Sequence, residues 1–212
     1  MGGVAHVLNR GNAKSTVFHT PSDYEGFIHL LTQAKERHPV DVLAFCVMPN
    51  HFHLVVRVER ADELSAMMQW WMTSHVRRRH KRNATSGHIW QGRFKSFPVQ
   101  EDEHLLTVLR YVLLNPCRAR LTEDPWAWRW SSLWYDQLLA PWPVAPPQDV
   151  RRWLADSRVE SDVEDVRESI RRSSPFGDEH WRERAAAEWG LESTLRSRGR
   201  PRREGKPFNL FD

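Results

Sequence analysis

The sequence predicts an α+β fold of the ferredoxin-like (RRM-like) kind, an antiparallel sheet with helices on one face, followed by a C-terminal helical and basic extension. Three observations lead there. Strand-like apolar runs and helical periods follow the order strand, helix, strand, strand, helix, strand, helix. The second and third strands are separated only by Pro49-Asn50, which makes them a hairpin. The chain has 212 residues with 11 Trp and 9 Phe, so a compact aromatic core is available although only 40% of residues are hydrophobic.

Each element has its own warrant. HVLN, from His6 to Asn9, is the first strand and ends at Arg10-Gly11-Asn12. Thr20-Pro21-Ser22-Asp23 supplies a capping hydroxyl and a first-turn proline. Phe27, Leu30, Leu31 and Ala34 then recur at helical spacing, and Pro39 stops that helix. VDVLAFCVM (Val40 to Met48) reads as a buried strand and HFHLVVRV (His51 to Val58) as its hairpin partner. Asp62 opens a second helix carrying Leu64, Met67, Met68, Trp71 and Val76, which ends in a basic run. FPV (Phe97 to Val99) is a fourth strand, and His104 to Asn115 a third helix stopped by Pro116. Beyond Trp134 the pattern weakens. PWPVAPPQ (Pro141 to Gln148) reads as a proline-rich linker, with short helical pieces at Ser161–Ser173 and Gly177–Gly190. The division expected is a folded domain over 1–135 and an extension over 136–212 that ends in a basic tail.

Lys and Arg outnumber Asp and Glu by 31 to 27, and the pI is about 9.4. The excess is clustered at Arg77–Arg82, Gly92–Lys95 and Arg196–Arg203, as a polyanionic partner would need. Two cysteines, Cys46 and Cys117, make no disulfide framework and read as small core residues in a reducing compartment. No signal-peptide pattern and no membrane-length apolar run is seen, so a cytoplasmic protein without membrane contact is expected.

The residues that could carry chemistry are few. His51 and His53 lie at i and i+2 on a strand, so they share a face on which two imidazoles can bind one metal ion. Phe52 between them points to the opposite face. The plain alternative is a polar sheet face. Tyr111 and Asn115 are four residues apart on an otherwise apolar helix and stack on one side of it. Taken alone, they suit a core tyrosine and a helix-end cap.

Four stretches occur in order: MPNHFHLVV (Met48–Val56), WQGRFKS (Trp90–Ser96), LRYVLLNPCRA (Leu109–Ala119) and WRWSS (Trp128–Ser132). HVLNRGN with Phe18, and the late GLESTLRSRGRP (Gly190–Pro201), accompany them. Together they resemble the single-tyrosine HUH transposases of the IS200/IS605 type, and most closely the REP-associated tyrosine transposases. The resemblance implies a metal-dependent enzyme that cuts and rejoins single-stranded DNA beside palindromic hairpins through a covalent 5′-phosphotyrosine. It implies Tyr111 as nucleophile and His51 and His53 as ligands of Mg²⁺ or Mn²⁺. The third-ligand position falls on Asn115, where family members often carry the longer Gln. It also implies a bacterial, nucleoid-associated monomer. No proton acceptor for the phenol is evident; His104 lies on a neighbouring helical face.

For DNA contact the candidates are Arg10 and Asn12 after the first strand, Arg77, Arg78 and Arg82 at the end of the second helix, and Trp90, Arg93 and Lys95 before the fourth strand. Arginines with aromatic rings suit unpaired strands. Arg198 and Arg200 form an Arg-Gly-Arg core suited to a narrow minor groove. The rival readings are a DNA-binding protein that no longer cuts, and an unrelated metallohydrolase that leaves no tyrosine adduct.

Overall fold

The computed structural model describes residues 2–156 and 163–196. Strands β1 (Gly3–Arg10), β2 (Val40–Met48), β3 (His51–Val58) and β4 (Lys95–Val99) form one antiparallel sheet in the order β2-β3-β1-β4. Helix α1 (Pro21–Arg37) joins β1 to β2, and α2 (Ala61–Asn83) joins β3 to β4. This is the expected ferredoxin-like order. Thr20 and Asp23 close a capping box at the start of α1, with Pro21 in its first turn.

The sheet separates two cores. On one face Ala5, Val7, Val42, Phe45, Phe52, Leu54 and Val56 meet Phe27, Leu31, Met67, Met68 and Trp71 from α1 and α2. On the other face Val4, Ala44, Cys46, Val55, Phe97 and Val99 meet Leu105, Val108, Leu109 and Val112 from α3 (Glu103–Leu113). So α1 and α2 cover one face as expected, and the third helix covers the opposite one. A bulge between Val42 and Ala44 shifts the alternation of β2, so Leu43 and Ala44 both serve the α3 core.

Helix α3 ends sooner than the sequence suggests. Pro116 has no N–H to continue the ladder, and the chain relaxes at Leu114 (φ −88°, ψ 3°). Asn115 therefore opens a separate turn, α4 (Asn115–Arg118), instead of closing α3.

The extension is fastened to the domain. Ala140 N–H donates to the Val42 carbonyl at 2.8 Å and the Trp142 indole to the Leu43 carbonyl at 3.0 Å, so the proline-rich stretch is a docked strap and not a free linker. Val47 N–H donates to the Trp130 carbonyl and Phe45 N–H to Ser132 Oγ, which together satisfy the open edge of β2. Phe176 does the same for the β4 edge, exchanging backbone bonds with Pro98 and Gln100. Helix α5 (Val150–Ala155), which the sequence did not suggest, precedes α6 (Val163–Arg172), α7 (Glu179–Trp189) and α8 (Glu192–Leu195). Val166 of α6 is fully buried against the α3 core. No helix among the described residues is long and apolar enough to cross a membrane. Cys46 is buried, but Cys117 is only partly covered and is not a core residue.

Candidate active site

Strand alternation places His51 and His53 on the α3 side of the sheet, with ring centroids 5.1 Å apart. Phe52 turns the other way and is 1% exposed in the α1/α2 core. Tyr111, the ninth residue of α3, sets its ring edge-on to His53 at 5.6 Å. Asn115 hydrogen-bonds both His51 and Tyr111. Four residues from three stretches of chain thus converge on one spot.

Neighbouring bonds determine how His51 is held. Asn50 donates its amide N–H to the Lys14 carbonyl at 2.9 Å, which fixes Oδ1 as the acceptor end. Nδ1 of His51 lies 2.7 Å from that oxygen and must carry the hydrogen. In a neutral ring this leaves the lone pair on Nε2. Burial holds His51 neutral, lowering its pKa to about 4, with the Arg10 charge acting in the same direction. Burial, and then His6 and His51, push His53 well below the usual histidine range. Two neutral imidazoles and an amide are a donor set that Mg²⁺ or Mn²⁺ accepts when oxygen ligands complete the shell.

Burial raises the Tyr111 phenol above its ordinary pKa, and Arg118 and Arg167 oppose that rise. Arg118 lies over the Tyr111 ring at 4.9 Å and donates to the Tyr111 carbonyl at 2.7 Å. Arg167, from α6, hydrogen-bonds the phenol. Arg10 is opposite His51 in the β1–β3 register. Three cations therefore surround the tyrosine and the histidine pair.

Sequence reasoning missed Arg118, Arg167, Asn50 and His6. The last is fully buried, with Nε2 2.9 Å from His53 Nδ1. A signal for His6 was present: it sits between Ala5 and Val7 in an apolar strand, the same oddity that drew attention to His51 and His53. Arg167 had no local signal, because α6 reaches Tyr111 only through the fold. His104 does not join the site. It bonds Asp102 at 2.8 Å and meets Phe176 edge-on. Asp102, Glu103 and His104 bring ligating atoms within 4.8 Å of one another, but Asp102 is occupied as the N-cap of α3.

The DNA-contact candidates divide. Arg10 and Asn12 flank the loop at 89–92, where Gln91 N–H donates to the Arg10 carbonyl and Asn12 N–H to the Ile89 carbonyl. Exposed Arg77 and Arg93 line a cleft of about 720 Å³ whose walls include Met68, Met72, Ile89 and Phe94. Lys95 is exposed at the start of β4. Arg78 lies across Gly26, where a Cβ would meet its Nε at 2.8 Å, and Arg82 pairs with Asp23. These two fasten α2 to α1. Trp90 is 6% exposed and packs among Phe18, Phe27, Phe52 and His75, so it serves the core while lining the same cleft as Arg77 and Arg93. Among the later tryptophans, Trp128 donates to the Val47 carbonyl and Trp130 stacks on Tyr24. Arg198 and Arg200 lie outside the described residues.

Comparison with known proteins bears on this geometry. Residues 3–115, just over half of the chain, match the family model "Transposase IS200 like". The chain belongs to the IS200-like transposase family. This IS200-like transposase is 25% identical over 114 residues to a Haemophilus influenzae protein assigned as a REP-associated tyrosine transposase, covering 49% of this chain and 65% of that one. The match therefore spans slightly under two thirds of that relative. It is 21% identical over 153 residues to the Escherichia coli REP-associated tyrosine transposase, covering 72% of this chain and 89% of the relative. Among solved structures, a REP-associated tyrosine transposase bound to a REP hairpin superposes with a TM-score of 0.51 at 17% identity, over 70% of this chain and 88% of that one. That similarity speaks for the fold.

Proposed function

We propose that this IS200-like transposase is a REP-associated transposase that cuts and rejoins single-stranded DNA beside a hairpin, using Tyr111 as nucleophile and a divalent cation. The observation that carries the proposal is the convergence of Tyr111, His51, His53 and Asn115. The hairpin held by the structural neighbour, and the REP-associated relatives, support hairpin DNA as the partner here.

The phenol oxygen of Tyr111 attacks the scissile phosphorus. The new Oη–P bond forms as the P–O3′ bond breaks, the phenol proton passes through solvent to the leaving 3′ oxygen, and a 5′-phosphotyrosine remains. Attack of a DNA 3′-hydroxyl reverses the step, so no nucleotide energy source is needed. His51, His53 and Asn115 would hold Mg²⁺ or Mn²⁺, which supplies polarisation of the phosphoryl oxygen when bound. Arg118, Arg167 and Arg10 offset the phosphate charge and steady the phenol. Arg10, Asn12, Arg77, Arg93 and Lys95 guide the unpaired strand toward the site. Tyr111 meets His53 of its own chain, which supports a monomer as the working unit.

A hairpin oligonucleotide with a cleavable flank tests this. Nicking that needs Mn²⁺ or Mg²⁺ is expected from the natural chain and is lost in Tyr111→Phe. Nicking that persists in Tyr111→Phe counts against the proposal. A binding-only protein is the second reading, favoured by the burial that raises the phenol's pKa; it forms the complex and never nicks.

A further inference from the structure

His6 has no place in the chemistry above, yet it is a fully buried polar residue in contact with a proposed ligand. Its Nε2 is 2.9 Å from Nδ1 of His53, and Phe97 and Tyr111 pack edge-on against its ring at 5.0 and 6.2 Å. No hydrogen-bond partner reaches its other nitrogen, Nδ1. The His6–His53 contact is therefore the one polar contact the described structure gives this side chain.

Two nitrogens 2.9 Å apart share one hydrogen, which can sit on either ring. With the hydrogen on His53 Nδ1, neutral His53 keeps the Nε2 lone pair that a metal needs. With the hydrogen on His6 Nε2, neutral His53 carries its own hydrogen on Nε2 and cannot ligate through it. His51 faces no such choice, because Asn50 and the Lys14 carbonyl fix its tautomer. His53 depends on His6 alone.

We infer that His6 is a positioning residue: it accepts the His53 Nδ1 hydrogen and so presents His53 Nε2 for a divalent cation. The inference rests on the metal reading above. It makes His6 the counterpart of Asn50, one acceptor behind each of the paired histidines. Loss of such a partner behind a metal-ligating histidine characteristically weakens the metal by about 10–100-fold.

The test is Mn²⁺ affinity of the full chain, measured by calorimetry without DNA, for the natural protein, His6→Phe and His6→Gln. His6→Phe keeps a ring of similar size but offers no acceptor, and is expected to bind Mn²⁺ about 10–100-fold more weakly. His6→Gln retains an acceptor oxygen and is expected to recover part of that loss. Equal affinity in His6→Phe and the natural protein overturns the inference while leaving the metal reading intact. Absence of Mn²⁺ binding by the natural protein overturns both. If His6→Phe does not fold, ¹⁵N-histidine NMR of the natural protein with Mg²⁺ decides the matter. A hydrogen on His53 Nδ1 and none on His6 Nε2 upholds the inference; the reverse sinks it.

Discussion

His75 shows what a buried imidazole costs away from the site. It is 5% exposed on α2, packed against Phe18, Phe27 and Trp90, with no partner for Nδ1. Burial lowers its pKa to about 3, and the charges of Arg79 and Arg78 and neighbouring His80 add to the effect. The unfolded chain takes up this proton near pH 6.5 while the folded chain refuses it. Stability is therefore complete above pH 6.5 and is lost as pH falls toward 3, by about 1.4 kcal/mol per pH unit from this group. His75→Phe is expected to flatten the dependence of denaturant-unfolding free energy on pH between 6 and 4; an unchanged slope contradicts this. Residues of this kind differ in how legible they are in the sequence. His51 and His53 are two apart on one strand, so their shared face follows from strand geometry. His6 and His53 are separated by 47 residues, and only the β1–β3 pairing brings them together.

Elements position the site through three devices. The Pro49-Asn50 turn fixes the β2–β3 register, which sets His51 beside Met48 and sends Phe52 into the core. Pro116 breaks α3 and opens α4, yet Asn115 still bonds Tyr111 across the break. The hairpin was legible because two strand-length apolar runs flank a two-residue turn. The helix break was legible only as a stop, because a proline marks where a helix fails and not how the chain continues. Helix α6 contributes the third device: Val166 anchors it in the α3 core and Arg167 reaches the phenol. Arg167→Ala is expected to slow covalent capture of a hairpin oligonucleotide about tenfold or more, the scale of losing one charge-stabilising donor, with the melting temperature little changed because the side chain is half-exposed. Wild-type capture by Arg167→Ala contradicts the assignment.

On the scale of the molecule, the extension completes the domain. Trp142, Trp153, Val163, Val166 and Phe176 lie against the core that holds α3, and the segments at 130–142 and 176 satisfy the two sheet edges. A chain cut after residue 135 loses most of these partners. It is expected to self-associate through its open edge and exposed apolar face, read as high-mass species in size-exclusion chromatography. A well-behaved monomer of 1–135 contradicts that view. The element order and the two-helix face were readable from the sequence, because the succession of strands and helices along the chain is that of a ferredoxin-like unit. The second core was not, because its parts lie between Val4 and Phe176 and meet only in three dimensions. The basic clusters divided in the same way: Arg78 and Arg82 join α2 to α1, while Arg77 and Arg93 line the cleft, a distinction that composition does not carry.

The central claim is that Tyr111, served by the histidine pair, makes the covalent bond to DNA. Mass-spectrometric mapping of the full chain after incubation with a flanked hairpin oligonucleotide and Mn²⁺ tests it directly. A 5′-nucleotide adduct on Tyr111 is expected, absent without the cation and absent in His53→Ala. Cleavage with no protein adduct, or an adduct on another residue, would contradict the account.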